Sequence, residues 1–448
     1  MAARVANSLA TTLWPDGGIS RRLGGLSPAA EAFGHQATNL DRQPSTLNMS
    51  TTFAPDIRSS FVAERPVSKP ATRFTLNGGD ALERHLANVC KNVLARMGRI
   101  IPEQKLEGLA LGGGYGRGEG GVLQTPAGDQ PYNDLEFYVF VRGQPWLNER
   151  RYAKSLHALA EELAPIAGVE LEFKITSPAK LRRSSASLFY HDLIMGHRWL
   201  LGDDRLFAGC EHHRDAGKIP LSEATRLLMN RCSGLLFARE KLEHECFSAE
   251  DADFVGRNIA KTELALGDAV LMALGKYHWS CRERGRRLSE PAATEDLPWI
   301  EEVRQRHAAG VEFKLQPHRS SLSREALKEQ LCAVSSLALQ SWLWLENRRL
   351  GCDFRSATDY ASSGINKWPG TTGWQNRLAS VKVFGLRTLL LPRNWRHPRE
   401  QILNALTLLL WMRAETSSEL KQKVQRELLL SEPTAIISAY RERWSRTS

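Results

Sequence analysis

No uninterrupted apolar stretch in this chain approaches the roughly 18 residues a membrane-spanning helix requires. The longest runs, such as "LTLLLWM" at residues 406–412, stop far short, so no membrane partner is expected. Cysteine is sparse: seven residues, an odd number with no Cys-x-x-Cys spacing, argue against a disulfide framework and a zinc ribbon. They fit a reducing, cytoplasmic compartment instead. "CEHH" at Cys210–His213 reads as a polar loop rather than a metal site. There is no kinase Val-Ala-x-Lys strand or His-Arg-Asp loop, and no repeat at a fixed period. Basic residues occur in scattered groups without the aromatic interleaving of a single-strand-binding platform.

What is present describes a globular protein of more than one domain. The chain has 448 residues, 42% hydrophobic and 25% charged, which is ample for a large core. Sixty Lys and Arg against 50 Asp and Glu give a net charge of +10, which would suit an anionic partner, but their scatter reads first as a solvated surface. Residues 1–72, rich in Ser, Thr, Ala, Gly and Pro with no sustained period, read as disordered or as an extension upstream of the true start, with Met49 as an internal candidate start. The extension is acid-poor like a transit peptide but lacks the apolar core of a secretory signal.

From residue 73 to 205 the pattern is helix, strand, glycine turn, strand, helix, strand, a small α/β module. Leu82, Leu86, Val89, Val93 and Leu94 recur on one helical face, and "VELEFKIT" alternates with period two. From 206 to 448 long helical patterns follow one another, several apolar nearly all round, which indicates a bundle with Trp342, Trp344 and Trp411 in its core. The expected class is α+β.

The densest feature is "GGGYGRGEGG" at residues 112–121. Its tail matches G-x-G-x-x-G, but a dinucleotide fold needs a helix to start there, and "VLQTPAGDQPYND" follows instead. A glycine turn, a loop and then two carboxylates one residue apart suggests another phosphate site. Period two puts Asp134 and Glu136 on one face while Leu135 and Phe137 point into the core, and two carboxylates on one face call for a divalent cation. Glu170 and Glu172 in "VELEF" likewise share a face and offer the third acid.

These residues resemble the nucleotidyltransferases of the DNA polymerase beta superfamily, with a Gly-Gly turn, a loop and Asp-h-Asp/Glu-h. "PYNDLEFY" and "VELEFKITS" are most similar to kanamycin nucleotidyltransferase and the minimal nucleotidyltransferases, and "YHDLIMGHRWLLGDD" to the stretch that closes their catalytic module. The resemblance implies metal-dependent transfer of an NMP, AMP being expected, from an NTP to a hydroxyl of a small molecule, a protein or an RNA end. It implies Gly113 and Gly114 against the triphosphate, Arg117 as a phosphate ligand, and Asp134, Glu136 and Glu170, or Glu172, holding two Mg²⁺ or Mn²⁺ ions.

The step of 20 positions from Gly114 to Asp134 is long for this family and requires an extruded loop. In the helical half a carboxylate is expected to deprotonate the acceptor, Glu263 first, then Asp268, Glu240 or Glu243. Arg239 and His244 in "REKLEH" match the spacing of helical RNases, a weaker alternative. A catalytically degenerate nucleotide-binding or partner-binding module is the other reading, and a homodimer is compatible with the sequence.

Overall fold

In the computed structural model, which describes residues 73–290, 293–390, 396–414, 417–430 and 435–447, the apolar stripe of Leu82, Leu86, Val89, Val93 and Met97 is buried along α1 (Asp80–Ile100). The expected extension at residues 1–72 lies outside the described residues. Next come β1 (Leu106–Leu111), α2 (Gly113–Arg117), β2 (Val122–Thr125), β3 (Gly128–Pro131), β4 (Leu135–Val141), α3 (Pro145–Ala167) and β5 (Leu171–Thr176). This is the order the sequence implies, with a hairpin inserted where the long loop was expected.

That hairpin pairs Thr125 with Gly128 around a two-residue turn. Asp129 accepts the Gly79 N–H at 2.7 Å, which puts a carboxylate at the positive N-terminus of α1. Val122 is buried in the module core, so the insertion is packed at both ends.

The sheet order is β5-β4-β1-β6. β1 runs antiparallel to β4, and β4 runs parallel to β5, with α3 supplying the crossover that a parallel pair needs. After α4 (Pro178–Arg183) and α5 (Leu188–Met195), β6 (Arg198–Leu201) adds to the free edge of β1. "RWLL" carries no period-two signal, and only the open edge beside it makes it a strand.

Alternation sorts β4 between two layers. Leu135, Phe137, Val139 and Val141 join Leu109 and Leu111 in the core under α1 and α3. Tyr138 and Phe140 point the other way, into a second cluster with Tyr190, Ile194 and Phe207. Asp134 and Glu136 therefore belong to this second face.

The remainder is helical: α6 (Leu221–Glu243), α7 (Ala249–Ala273), α8 (Cys281–Leu288), α9 (Ile300–Leu315), α10 (Arg324–Leu350), α11 (Ala357–Ser362), α12 (Gly373–Phe384), α13 (Pro398–Leu410), α14 (Ser418–Glu427) and α15 (Ile436–Ser445). Twelve of the thirteen residues of α13, all but Arg399, are buried, so this helix runs through the bundle rather than over it. Trp342 is 1% exposed and packs against Trp411 at 5.5 Å, while the half-buried Trp344 meets Trp299 at 5.8 Å. The fold is α+β, and no helix of the described residues is long and apolar enough to cross a membrane.

Candidate active site

The glycines serve two ends. Gly113 opens α2 with φ +60°, a left-handed conformation that side chains rarely adopt, and a Cβ there would sit 3.1 Å from Glu136 Oε1. The turn thus lies directly against the second carboxylate of the Asp-x-Glu pair. Gly116 is a packing glycine, because a Cβ there would meet the Leu111 carbonyl oxygen at 2.2 Å. Gly116→Ala is expected to cost about 1–3 kcal/mol of stability through overpacking. Gly113→Ala should cost about 1–2 kcal/mol of backbone strain; thermal melting reads both variants.

The acidic face is organised by a lysine. Parallel pairing sets Glu136 opposite Glu172 and Tyr138 opposite Lys174. Lys174 Nζ then reaches Glu136 Oε2 at 3.1 Å and Glu172 Oε2 at 3.0 Å, and the Tyr138 hydroxyl donates to Glu136 Oε2 at 2.9 Å. The third carboxylate beside Asp134 and Glu136 is therefore Glu172. Glu170 precedes β5, where its carbonyl accepts the Leu135 N–H at 2.9 Å and its side chain is exposed.

Three carboxylates share one ammonium, and their protonation shows it. Burial, then Glu136 and Glu172, push the Asp134 carboxyl up to about 7 against the pull of Lys174. Burial opposes ionisation of Glu136 too, but Lys174 and the Tyr138 hydroxyl hold it below the usual range. Burial outweighs Lys174 at Glu172 and raises it. Asp134 and Glu136 are only half-buried although burial is the first cause acting on each, as expected of a recess open to water.

Among the described residues, no group of three or more His, Cys, Asp or Glu is placed to hold a metal ion. The expected convergence on two ions is not seen, because Glu136 and Glu172 turn towards Lys174. Glu136 Oε1 and the Asp134 carboxylate are not engaged by Lys174.

The charged residues of the glycine stretch dock the module onto the bundle. Arg117, expected on phosphate, is buried and pairs with Asp192 at 2.9 Å. Asp192 also accepts the Tyr277 hydroxyl at 3.2 Å, and Tyr277 in turn accepts from Arg284 at 3.0 Å. Glu119 accepts the Ser280 hydroxyl and, at 2.9 Å, the Cys281 N–H at the start of α8.

The expected bases are occupied as well. Glu263 pairs with Arg306 at 3.1 Å, and Asp268 with Arg284 and, at 3.2 Å, His307. Glu240 meets Arg441, and Glu243 meets Arg413 at 2.5 Å. Arg239 donates to the Leu409 and Leu410 carbonyls at 3.1 and 3.0 Å, capping α13, while His244 is exposed at the end of α6. The ring nitrogens of His212 and His213 meet the Ser184 and Leu181 carbonyls, so "CEHH" packs a turn.

Lys261 of α7, which sequence reasoning passed over, is close enough to Asp134 to feel its charge. Burial and the neighbouring Arg231 and Arg257 push its ammonium down to about 7, against the attraction of Asp134. Glu263, two residues on, points about 200° round the helix and so towards α9. Lys174 was legible, being two residues after Glu172 on a period-two strand; Arg257 and Lys261, four apart in "RNIAK", carried a weaker signal. No protein-family model, curated protein or solved structure matches this chain, so its site is read from its own geometry.

Proposed function

We propose that the chain is a nucleotidyltransferase of the DNA polymerase beta superfamily type. It moves an NMP, AMP being expected, from an NTP to a hydroxyl acceptor. The observation that carries this reading is the placement of Asp134 and Glu136 on one face of β4, with the Gly113 turn against Glu136 Oε1. The order of elements around the turn supports it, as does the excess negative charge of three carboxylates on one lysine. The free cysteines suit a cytoplasmic setting.

Asp134 and Glu136 would hold one Mg²⁺ or Mn²⁺, which when bound supplies Lewis-acid stabilisation of charge on the phosphoryl oxygens. Gly113 and Gly114 let backbone approach the triphosphate where a Cβ would hold it away. Lys174 keeps Glu136 ionised and fixes Glu172 beside it. The acceptor oxygen bonds to the α-phosphorus, the bond from that phosphorus to the oxygen bridging to the β-phosphate breaks, and pyrophosphate leaves with the electron pair. The hydroxyl proton passes to water.

The test offers α-labelled ATP, CTP, GTP or UTP with Mg²⁺ or Mn²⁺ and a cell extract as acceptor source. Labelled acceptor and pyrophosphate in equal amounts are expected. The commitment of Lys174 to Glu136 and Glu172, and of Arg117 to Asp192, favours the nucleotide-binding-module alternative. Tight nucleotide binding with no label moved by any metal and extract would establish that alternative instead.

A further inference from the structure

The charge that selects an acceptor lies on the helical half. Arg257 and Lys261, four residues apart, share a face of α7. Arg257 hydrogen-bonds Tyr132, two residues before Asp134, and Tyr132 meets Phe313 of α9 edge-on at 6.3 Å. This face of α7 therefore lies over the entrance to β4. The α6 backbone at Arg231 is close by, its carbonyl accepting from the Thr262 hydroxyl at 3.4 Å, and the Arg231 charge acts on the Lys261 ammonium.

Lys261 and Arg231 are half-buried, and among the described residues neither has an ion-pair partner within 4 Å. Elsewhere in the bundle such cations are matched: Arg226 to Glu223 at 2.8 Å, Arg306 to Glu263 at 3.1 Å, Arg349 to Glu346 at 2.6 Å. Burial strips hydration from these cations, and the opposite charges that act on them, Asp134 on Lys261 and Asp268 on Arg231, do not offset it, so an incoming anion is favoured. Arginine together with lysine suits phosphate, through forked and point-charge donors respectively.

Position separates this face from the leaving group. The glycine turn lies against Glu136, whereas Arg257 of the basic face bonds Tyr132, two residues before Asp134, and Lys261 feels the Asp134 charge. In an in-line displacement the attacking and leaving oxygens lie on opposite sides of phosphorus. With the pyrophosphate at the glycine turn, the basic face lies on the side from which the acceptor enters.

We propose that Lys261 and Arg231, with Arg257 beside them, bind a phosphate group carried by the hydroxyl acceptor, so that this enzyme modifies phosphorylated compounds and rejects polycationic ones. The proposal rests on the nucleotidyl-transfer reading above. The step is the one already written, the acceptor's hydroxyl attacking while its phosphate stays bound to the basic face.

The experiment uses the full chain, Lys261→Gln and Arg231→Gln, with circular dichroism to confirm folding. Inorganic phosphate is titrated into the ATP-bound protein, ATP into the free protein, and label transfer is measured with extract before and after phosphatase treatment and removal of the phosphatase. Each variant should weaken inorganic phosphate binding and label transfer by about tenfold or more, with ATP affinity kept within about twofold. Phosphatase-treated extract should lose most of its acceptor capacity. ATP affinity falling in step with transfer would assign the cations to the triphosphate and overturn the proposal, as would transfer indifferent to both variants and to phosphatase. Absence of transfer by wild type with every extract defeats the enzyme reading itself, and the acceptor role with it.

Discussion

Asp134→Asn is expected to lower label transfer by about a thousandfold while making the metal-free protein more stable at pH 8. The two effects have one cause. Asp134 shares a half-buried recess with Glu136 and Glu172, and its carboxyl sits near 7 in the folded chain instead of at 3.8. The folded state therefore holds a proton that the unfolded state has released between those values. This favours folding fully below about pH 4 and is lost as the pH rises through about 7. Above that, the ionised aspartate burdens the fold by on the order of 2 kcal/mol, the full shift being discounted for partial exposure and coupling.

Asparagine keeps the size and hydrogen bonding without the charge, so the stabilisation of Asp134→Asn over wild type should be largest at pH 8 and vanish towards pH 4. Thermal melts across that range read it directly. Mg²⁺ should stabilise wild type at pH 8 and leave the variant almost unchanged, because the variant lacks the excess charge that attracts a cation. A flat difference between the two proteins from pH 4 to 8 would mean that Asp134 is not crowded by the other acids. Label moving equally well in Asp134→Asn would remove this carboxylate from the reacting centre.

Lys174→Met should be the most destabilising single change at the site. It keeps most of the apolar stem and deletes the ammonium that bridges Glu136 and Glu172 at 3.1 and 3.0 Å. Breaking a buried pair from one side costs about 3–5 kcal/mol, and the partial exposure of these carboxylates lowers the expectation to about 2–3 kcal/mol. The melting temperature should fall by several degrees at pH 8 and recover on adding Mn²⁺ by more than wild type gains, since the freed oxygens of Glu136 and Glu172 then join Asp134 as donors. Towards acid pH the loss should shrink, because the acids left unpaired in the variant take up protons while Glu136 of the wild type, held below the usual range, keeps its charge. A variant as stable as wild type at pH 8 would show that the lysine bridge is not formed in solution.

How much of this was legible in the sequence depends on the distance over which each feature is encoded. The buried stripe of α1, the alternation that puts Asp134 and Glu136 together, and the helical half with Trp342 in its core follow from periods of two and 3.6, set by neighbours a few residues apart. Gly113 likewise declared itself, since a turn between a strand and an Asp-x-Glu strand needs backbone without a side chain. The α+β class followed from the same local patterns.

Only the tertiary structure decided which acids meet. Glu170 and Glu172 are indistinguishable by alternation, and the choice falls to Glu172 because the register of β4 on β5, set across the α3 crossover, puts it opposite Glu136. The same pairing brings Lys174 onto both carboxylates. Arg117, Glu119, Glu263 and Asp268 are charged residues of the kind that act at sites, yet each finds a partner distant in sequence and serves to dock one element on another. Lys261 and Arg231 feel Asp134 and Asp268 but, among the described residues, form no ion pair with them within 4 Å. Local periodicity determines which face a side chain occupies, whereas the sum of opposite charge around it depends on contacts between residues far apart in the chain, and that sum separates a structural ion pair from a site still able to take a ligand.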